Sequence, residues 1–177
     1  MEKKIMHVFL IAAITADGYI GRDANDRSFD WTSQEDKQFY VKSIKRAKAV
    51  VMGLRTFKTF TRYPKGNRYI LYTNRPEEFI NPKPEVIEAM ATKEDPKVII
   101  EQLEAEGFSE VAIAGGASIY TLFLKAGVID TLYLTVEPIL FGKGVPLFTE
   151  EVSVDLELKN CTQLSPQTLL VEYKVKK

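Results

Sequence analysis

The sequence predicts an α/β domain built on a mixed, mostly parallel sheet that ends in an antiparallel C-terminal hairpin. Five apolar runs rich in β-branched residues, Ile5 to Ile14, Ala49 to Met52, Arg68 to Thr73, Val111 to Ala114 and Thr131 to Val136, are hydrophobic almost without interruption. Strands covered on both faces read this way. Helical stretches lie between several of them, which is the alternation that parallel crossovers require. After Val136 the pattern becomes two alternating segments, Val152 to Cys161 and Thr168 to Val175, flanking the turn-rich Gln163 to Gln167. That reads as a hairpin at the sheet edge.

The first run follows Glu2-Lys3-Lys4 and so has the outline of a secretory signal. It reads as a buried strand instead: His7 interrupts it, it is far shorter than the ~20 residues of a membrane span, and it leads into the turn signal Asp17-Gly18. A cytoplasmic protein is expected. Three helices are predicted: Ser33 to Lys48, capped by Ser33 with Asp36 three residues on; Pro96 to Glu106, closed by Gly107; and Ala117 to Lys125, closed by Gly127. No repeat or long linker divides the 177 residues, since Asn81-Pro82-Lys83-Pro84 is too short to be one, and residues 1–177 are expected to form a single domain.

Composition narrows the chemistry. Lys plus Arg and Asp plus Glu number 24 each, so no basic field draws in nucleic acid, which is not expected as a partner. A single histidine, His7, and a single cysteine, Cys161, leave too few soft ligands for an ordinary zinc site and none for an internal disulfide. An enzyme of this composition would work with carboxylates, hydroxyls and backbone groups, or with an organic cofactor.

Strand ends offer the candidate sites. In Val111 to Tyr120 a buried strand ends in Gly115-Gly116 and opens directly into a helix, where backbone can approach an anion and first-turn amides point at it. Taken alone, the glycine pair fits a tight turn without ligand equally well. Val50-Val51-Met52-Gly53-Leu54-Arg55-Thr56 repeats the arrangement and adds a guanidinium and a hydroxyl, and Tyr72-Thr73-Asn74-Arg75-Pro76 adds a third junction. Ligands of open α/β sheets lie beyond the carboxyl ends of the strands, where all three should meet.

In order and spacing, Ile11-Ala12-Ala13 with Ile20-Gly21, then Trp31, an acid-bearing helix, Met52-Gly53-x-x-Thr56, Gly115-Gly116-Ala117-x-Ile119-Tyr120 and Leu132-Tyr133-Leu134-Thr135 resemble dihydrofolate reductase. Thr15 to Ile20 and Pro138 to Phe148 are more similar to the reductase domain of the bifunctional riboflavin-biosynthesis deaminase/reductase. The resemblance implies a three-layer α/β/α dihydrofolate reductase-like fold and NADPH-dependent hydride transfer to a C=N bond of a pterin or related pyrimidine. It implies that Ala13, Ile20, Gly21, Gly53, Arg55, Thr56, Thr73, Asn74, Arg75, Gly115, Gly116, Ala117, Ser118 and Ile119 hold the cofactor. Ala12, Trp31 and Tyr40 would meet the substrate, Thr135 would support the acid or a water, and residues 15–27 would form a lid. The riboflavin reductases suggest a homodimer, and a non-catalytic nucleotide-binding protein stays open.

Two positions depart from these patterns. The arginine that binds the glutamate tail of folate is replaced by Asn67, with Arg68 one place later and so on the opposite strand face. The Gly-Thr-x-x-x-Asp-Asp-Pro loop of the riboflavin reductases is replaced by Gly53-Leu54-Arg55-Thr56-Phe57-Lys58-Thr59-Phe60. For the site acid, Glu35 and Asp36 compete. At about 100° per residue the apolar stripe of Tyr40, Val41, Ile44 and Ala47 has Asp36 one turn before its centre and Glu35 on the far side, which favours Asp36. Both acids also suit the positive end of a helix irrespective of any catalytic role.

Overall fold

The computed structural model describes residues 6–177, so Ile5, the expected start of the first strand, lies outside the described residues. Strands β1 (His7–Thr15), β3 (Lys48–Gly53), β4 (Arg68–Tyr72), β6 (Glu110–Ile113) and β7 (Thr131–Glu137) reproduce the predicted buried runs to within a residue or two at most ends. Together with β5 (Glu88–Thr92), β9 (Leu156–Gln163) and β10 (Leu169–Val175) they form one sheet in the order β5-β4-β3-β6-β1-β7-β10-β9. All pairings from β5 to β7 are parallel, and β10 runs antiparallel to both β7 and β9.

The core lies in two clusters, one on each face of the sheet, because successive side chains of a strand point to opposite sides. Val50 and Met52 of β3 pack with Ile44 and Ala47 of α1 (Gln34–Ala47) and Phe57 of α2 (Leu54–Lys58). Ala49 and Val51 pack on the other side with Ile99 and Leu103 of α3 (Pro96–Ala105) and Phe123 and Leu124 of α4 (Ala117–Lys125). Helix, sheet, helix is therefore the layer order.

Several elements differ from the expectation. β5 is an edge strand of alternating exposure, with Met90 in solvent, and lacks the continuous apolar run that marks the central strands. The C-terminal hairpin starts at Leu156 rather than Val152, and a register shift in its pairing falls opposite Glu172 and Tyr173. Two short strands, β2 (Tyr19–Gly21) and β8 (Val145–Pro146), pair antiparallel outside the main sheet. Among the described residues no helix is long and apolar enough to cross a membrane.

Candidate active site

A cleft of about 1760 Å³ opens at the carboxyl ends of β1, β3, β4, β5 and β6. Sixteen of the expected residues line it: Ala12, Ala13, Ile20, Gly21, Asp36, Tyr40, Gly53, Arg55, Thr56, Thr73, Asn74, Gly115, Gly116, Ala117, Ser118 and Ile119. Trp31, Thr135 and Arg75 do not. Trp31 packs edge-on against Phe141, with ring centroids 5.2 Å apart. Its Nε1 is buried without a hydrogen-bond partner among the described residues. Arg75 projects into solvent and pairs with Glu78 at 3.2 Å. Thr135 is buried beneath Asp36, on which its hydroxyl acts.

At one end the strands set out a row of polar groups. β3, β4 and β5 are neighbours, so Arg55, Thr73 with Asn74, and Lys93, which the sequence reading passed over, follow one another along the cleft rim. The Thr73 amide donates to Thr92 O at 3.1 Å, which joins the last two of these ends. From β4 to β1 is three strand spacings, about 14 Å, a span suited to an extended dinucleotide.

Midway, the two glycine junctions are bonded to each other: Gly53 N–H donates to Gly115 O at 2.8 Å, and Ala114 N–H to Val51 O at 2.8 Å. Gly115, joined to Gly116 by a cis peptide bond, has φ of +113°, where a side chain is disfavoured. Gly116 caps α4 and accepts from Ile119 N–H at 2.9 Å, which leaves the amides of Ala117 and Ser118 without an intrahelical acceptor and available to an anion. Tyr120 of the same helix donates its hydroxyl to Ile11 O at 2.7 Å, tying α4 to β1 beside the cleft.

Asp36 closes the other end. It is 5% exposed, whereas Glu35 beside it faces solvent. Burial holds the Asp36 carboxyl above the usual carboxylate range; the hydroxyls of Thr135 and Thr32 oppose this, the nearby Glu137 carboxylate adds to it, and Lys37 opposes it. Thr32 Oγ1 has no well-aligned partner, so it acts on Asp36 as a neighbouring dipole rather than through a formed bond. The helix that carries Asp36 is capped by Ser33, whose Oγ accepts from Asp36 N–H at 3.1 Å. Outside Asp36, Tyr40, Phe29 and Phe60 form an aromatic collar on the cleft wall, with Phe29 edge-on to Tyr40 at 5.5 Å and to Phe60 at 5.7 Å. Such faces suit a flat ring.

The expected lid is fastened. Asp17 accepts from Gly142 N–H at 2.7 Å, Phe141 N–H at 3.2 Å and the Thr15 hydroxyl at 2.6 Å. These bonds hold its carboxyl below the usual range, the Thr15 bond contributing most. Gly144 passes so near the Gly21 carbonyl that no Cβ fits between them.

The RibD C-terminal domain family model matches residues 6–170. The chain belongs to this family. The uncharacterized protein YwjB of Bacillus subtilis (strain 168) is 29% identical over 173 residues, spanning 92% of this chain and 93% of YwjB. The diaminohydroxyphosphoribosylaminopyrimidine deaminase/5-amino-6-(5-phosphoribosylamino)uracil reductase of Thermotoga maritima superposes with a TM-score of 0.78 at 19% identity, over 98% of this chain and 58% of that one. A dihydrofolate reductase from Enterococcus faecalis, complexed with NADP(H), superposes with a TM-score of 0.71 at 19% identity, over 97% of both chains. At such identities these two likenesses are likenesses of fold. This RibD-family domain thus has the mixed α/β/α architecture of the dihydrofolate reductase-like superfamily.

Proposed function

We propose that the protein is an NADPH-dependent reductase that reduces a C=N bond in a pterin ring. The observation that carries this reading is Asp36, a buried carboxyl with raised proton affinity on the wall of the same cleft as both glycine junctions. The residues present suit the cofactor: a Cβ built on Gly116 meets only the Thr56 hydroxyl, at 3.4 Å, so the glycine leaves the cleft open just where the α4 amides are available. Arg55, Thr73, Asn74 and Lys93 would hold the adenosine phosphate, and Ala12 and Ala13 would orient the rings through backbone groups. Hydride is what the nicotinamide supplies when bound. Asp36 would pair with the ring and give a proton to the nitrogen, directly or through water, so that hydride and proton together turn C=N into CH–NH. Its own proton returns from solvent.

NADPH is accordingly expected to bind at least about tenfold more tightly than NADH, since charge-assisted bonds to phosphate are strong. Calorimetry at one ionic strength checks this, and equal affinities would count against the phosphate site at Arg55.

The folate tail is expected to add little. Asn67 is 2% exposed and donates through Nδ2 to Ile44 O at 2.8 Å, capping the end of α1 rather than facing the cleft. Arg68 is engaged by Glu88 and Glu106. Dihydrofolate and a bare dihydropterin should therefore agree within about tenfold in kcat/KM; a larger preference for the full folate would mean that another cation receives the tail.

A second reading, reduction of a phosphoribosylaminopyrimidine in riboflavin biosynthesis, is favoured by Lys58 and Arg62. Both line the cleft and pair with no carboxylate among the described residues, as a phosphorylated sugar would require. Following NADPH oxidation with a dihydropterin, dihydrofolate and the phosphoribosylaminopyrimidine in parallel tests all of this. Oxidation with the pyrimidine alone would establish the second reading, and NADPH binding without oxidation by any of them would leave a non-catalytic nucleotide-binding protein.

A further inference from the structure

Glu137, the last residue of β7, is 3% exposed and has no cationic partner among the described residues. Its Oε1 accepts from Ser33 N–H at 2.8 Å and from the Ser33 hydroxyl at 2.7 Å, and its Oε2 from the Thr168 hydroxyl at 3.1 Å. A carboxylate buried among neutral donors alone is costly. Ser33, the residue it holds by both polar groups, is the cap of α1 and bonds the amide of Asp36.

We propose that Glu137 is a positioning residue for Asp36: by fixing Ser33 it fixes the first turn of α1, and with it the carboxyl that faces the cleft. This rests on the reading of Asp36 as the site acid. A hydroxyl that donates to Glu137 must turn a lone pair elsewhere, and here it is turned to the Asp36 amide. The orientation of the cap is thus set from β7, on a strand already locked between β1 and β10. Thr168, immediately before β10, completes the clamp from the hairpin.

Glu137 also acts on Asp36 through its charge. The groups facing Asp36 are Glu137 and Thr135 from β7, Thr32 before the helix, Lys37 and Tyr40 from α1, and Tyr120 from α4. Burial pushes both tyrosine hydroxyls up, and the charge effects on Asp36 come from Glu137, which raises its proton affinity, and Lys37, which lowers it.

Two substitutions separate the effects. Glu137→Gln keeps an acceptor for Ser33 and an amide for the Thr168 oxygen while removing the charge; Ser33→Ala keeps the charge and removes the cap. Carbon-13 carboxyl resonances give the Asp36 titration midpoint, and single-turnover reduction against pH gives the rate. In Glu137→Gln the midpoint is expected to move to lower pH, and the falling limb of the rate profile to move with it. In Ser33→Ala single turnover should fall about tenfold to a hundredfold at pH values where Asp36 is protonated, the order expected when a reacting group is misplaced. An unmoved midpoint in Glu137→Gln together with a wild-type rate in Ser33→Ala would overturn the proposal. Failure of the reductase reading looks different: no substrate would be turned over by the wild type, while the midpoints of the two proteins could still be compared.

Discussion

Asp36→Asn is expected to slow single-turnover reduction about tenfold to ten-thousandfold, the range over which general acid catalysis contributes. Asparagine keeps the shape of the carboxyl and its place under the aromatic collar, but has no proton to give. NADPH binding should survive, because the groups proposed for the cofactor sit on β1, on α2, just past the ends of β4 and β5 and at the start of α4, and none is on α1. Glu35→Gln removes a charge from the same helix turn, where both acids favour the positive end of α1, and Glu35 is exposed. It should change the rate little. A crippled Glu35→Gln beside an active Asp36→Asn would show that the wrong carboxyl had been assigned.

The same substitution has a second readout, in stability. The folded state holds the Asp36 proton more tightly than the unfolded chain does, so between the ordinary carboxylate value and the raised one the native state binds more protons. Stability contributed by this group is therefore lost as pH rises through that window and stays lost above it. Asparagine carries no charge to bury. Melting temperatures of wild type and Asp36→Asn should converge in acid and separate at neutral pH with the variant higher, whatever other carboxylates do to both proteins alike. Parallel curves would mean that the fold does not penalise the ionised form.

The parallel strands could be read from the sequence because each is covered on both faces, and continuous hydrophobicity is the direct consequence. β5 escaped because it is an edge strand, half exposed, behind a proline-rich stretch. α2, with 5 residues, is too short to show a helical period. The burial of Asp36 and the exposure of Glu35 were legible because burial of a helix face is periodic, and Asp36 falls on the stripe. Trp31 is implied by the family resemblance and Arg75 by its strand-end junction, and their surroundings come from elsewhere: Trp31 meets Phe141 of a distant loop, and Arg75 finds Glu78 before any ligand. Glu137 carried one signal, standing two residues after Thr135 and so on the same strand face. That its partner would be Ser33, 104 residues away, is a property of the assembled sheet and helix.

Gly116→Val is expected to reduce NADPH affinity by at least about tenfold, a loss of roughly 1.4 kcal/mol. The two glycines of the pair answer to different demands. Gly115, at φ of +113°, has a conformation that side chains avoid, and a Cβ on it would also meet the Tyr120 hydroxyl at 3.2 Å. Substitution there would report on the fold. Gly116 has φ of −78° and ψ of −164°, ordinary extended backbone, and its nearest neighbour to an added Cβ is the Thr56 hydroxyl at 3.4 Å. The protein itself leaves that position room, so the open side of a valine there is the cleft, beside the α4 amides an anion would use. A melting temperature close to wild type together with lost NADPH binding would locate the pyrophosphate at this junction. Unchanged affinity in calorimetry would remove the glycine pair from the site, and the dinucleotide would have to cross the sheet elsewhere.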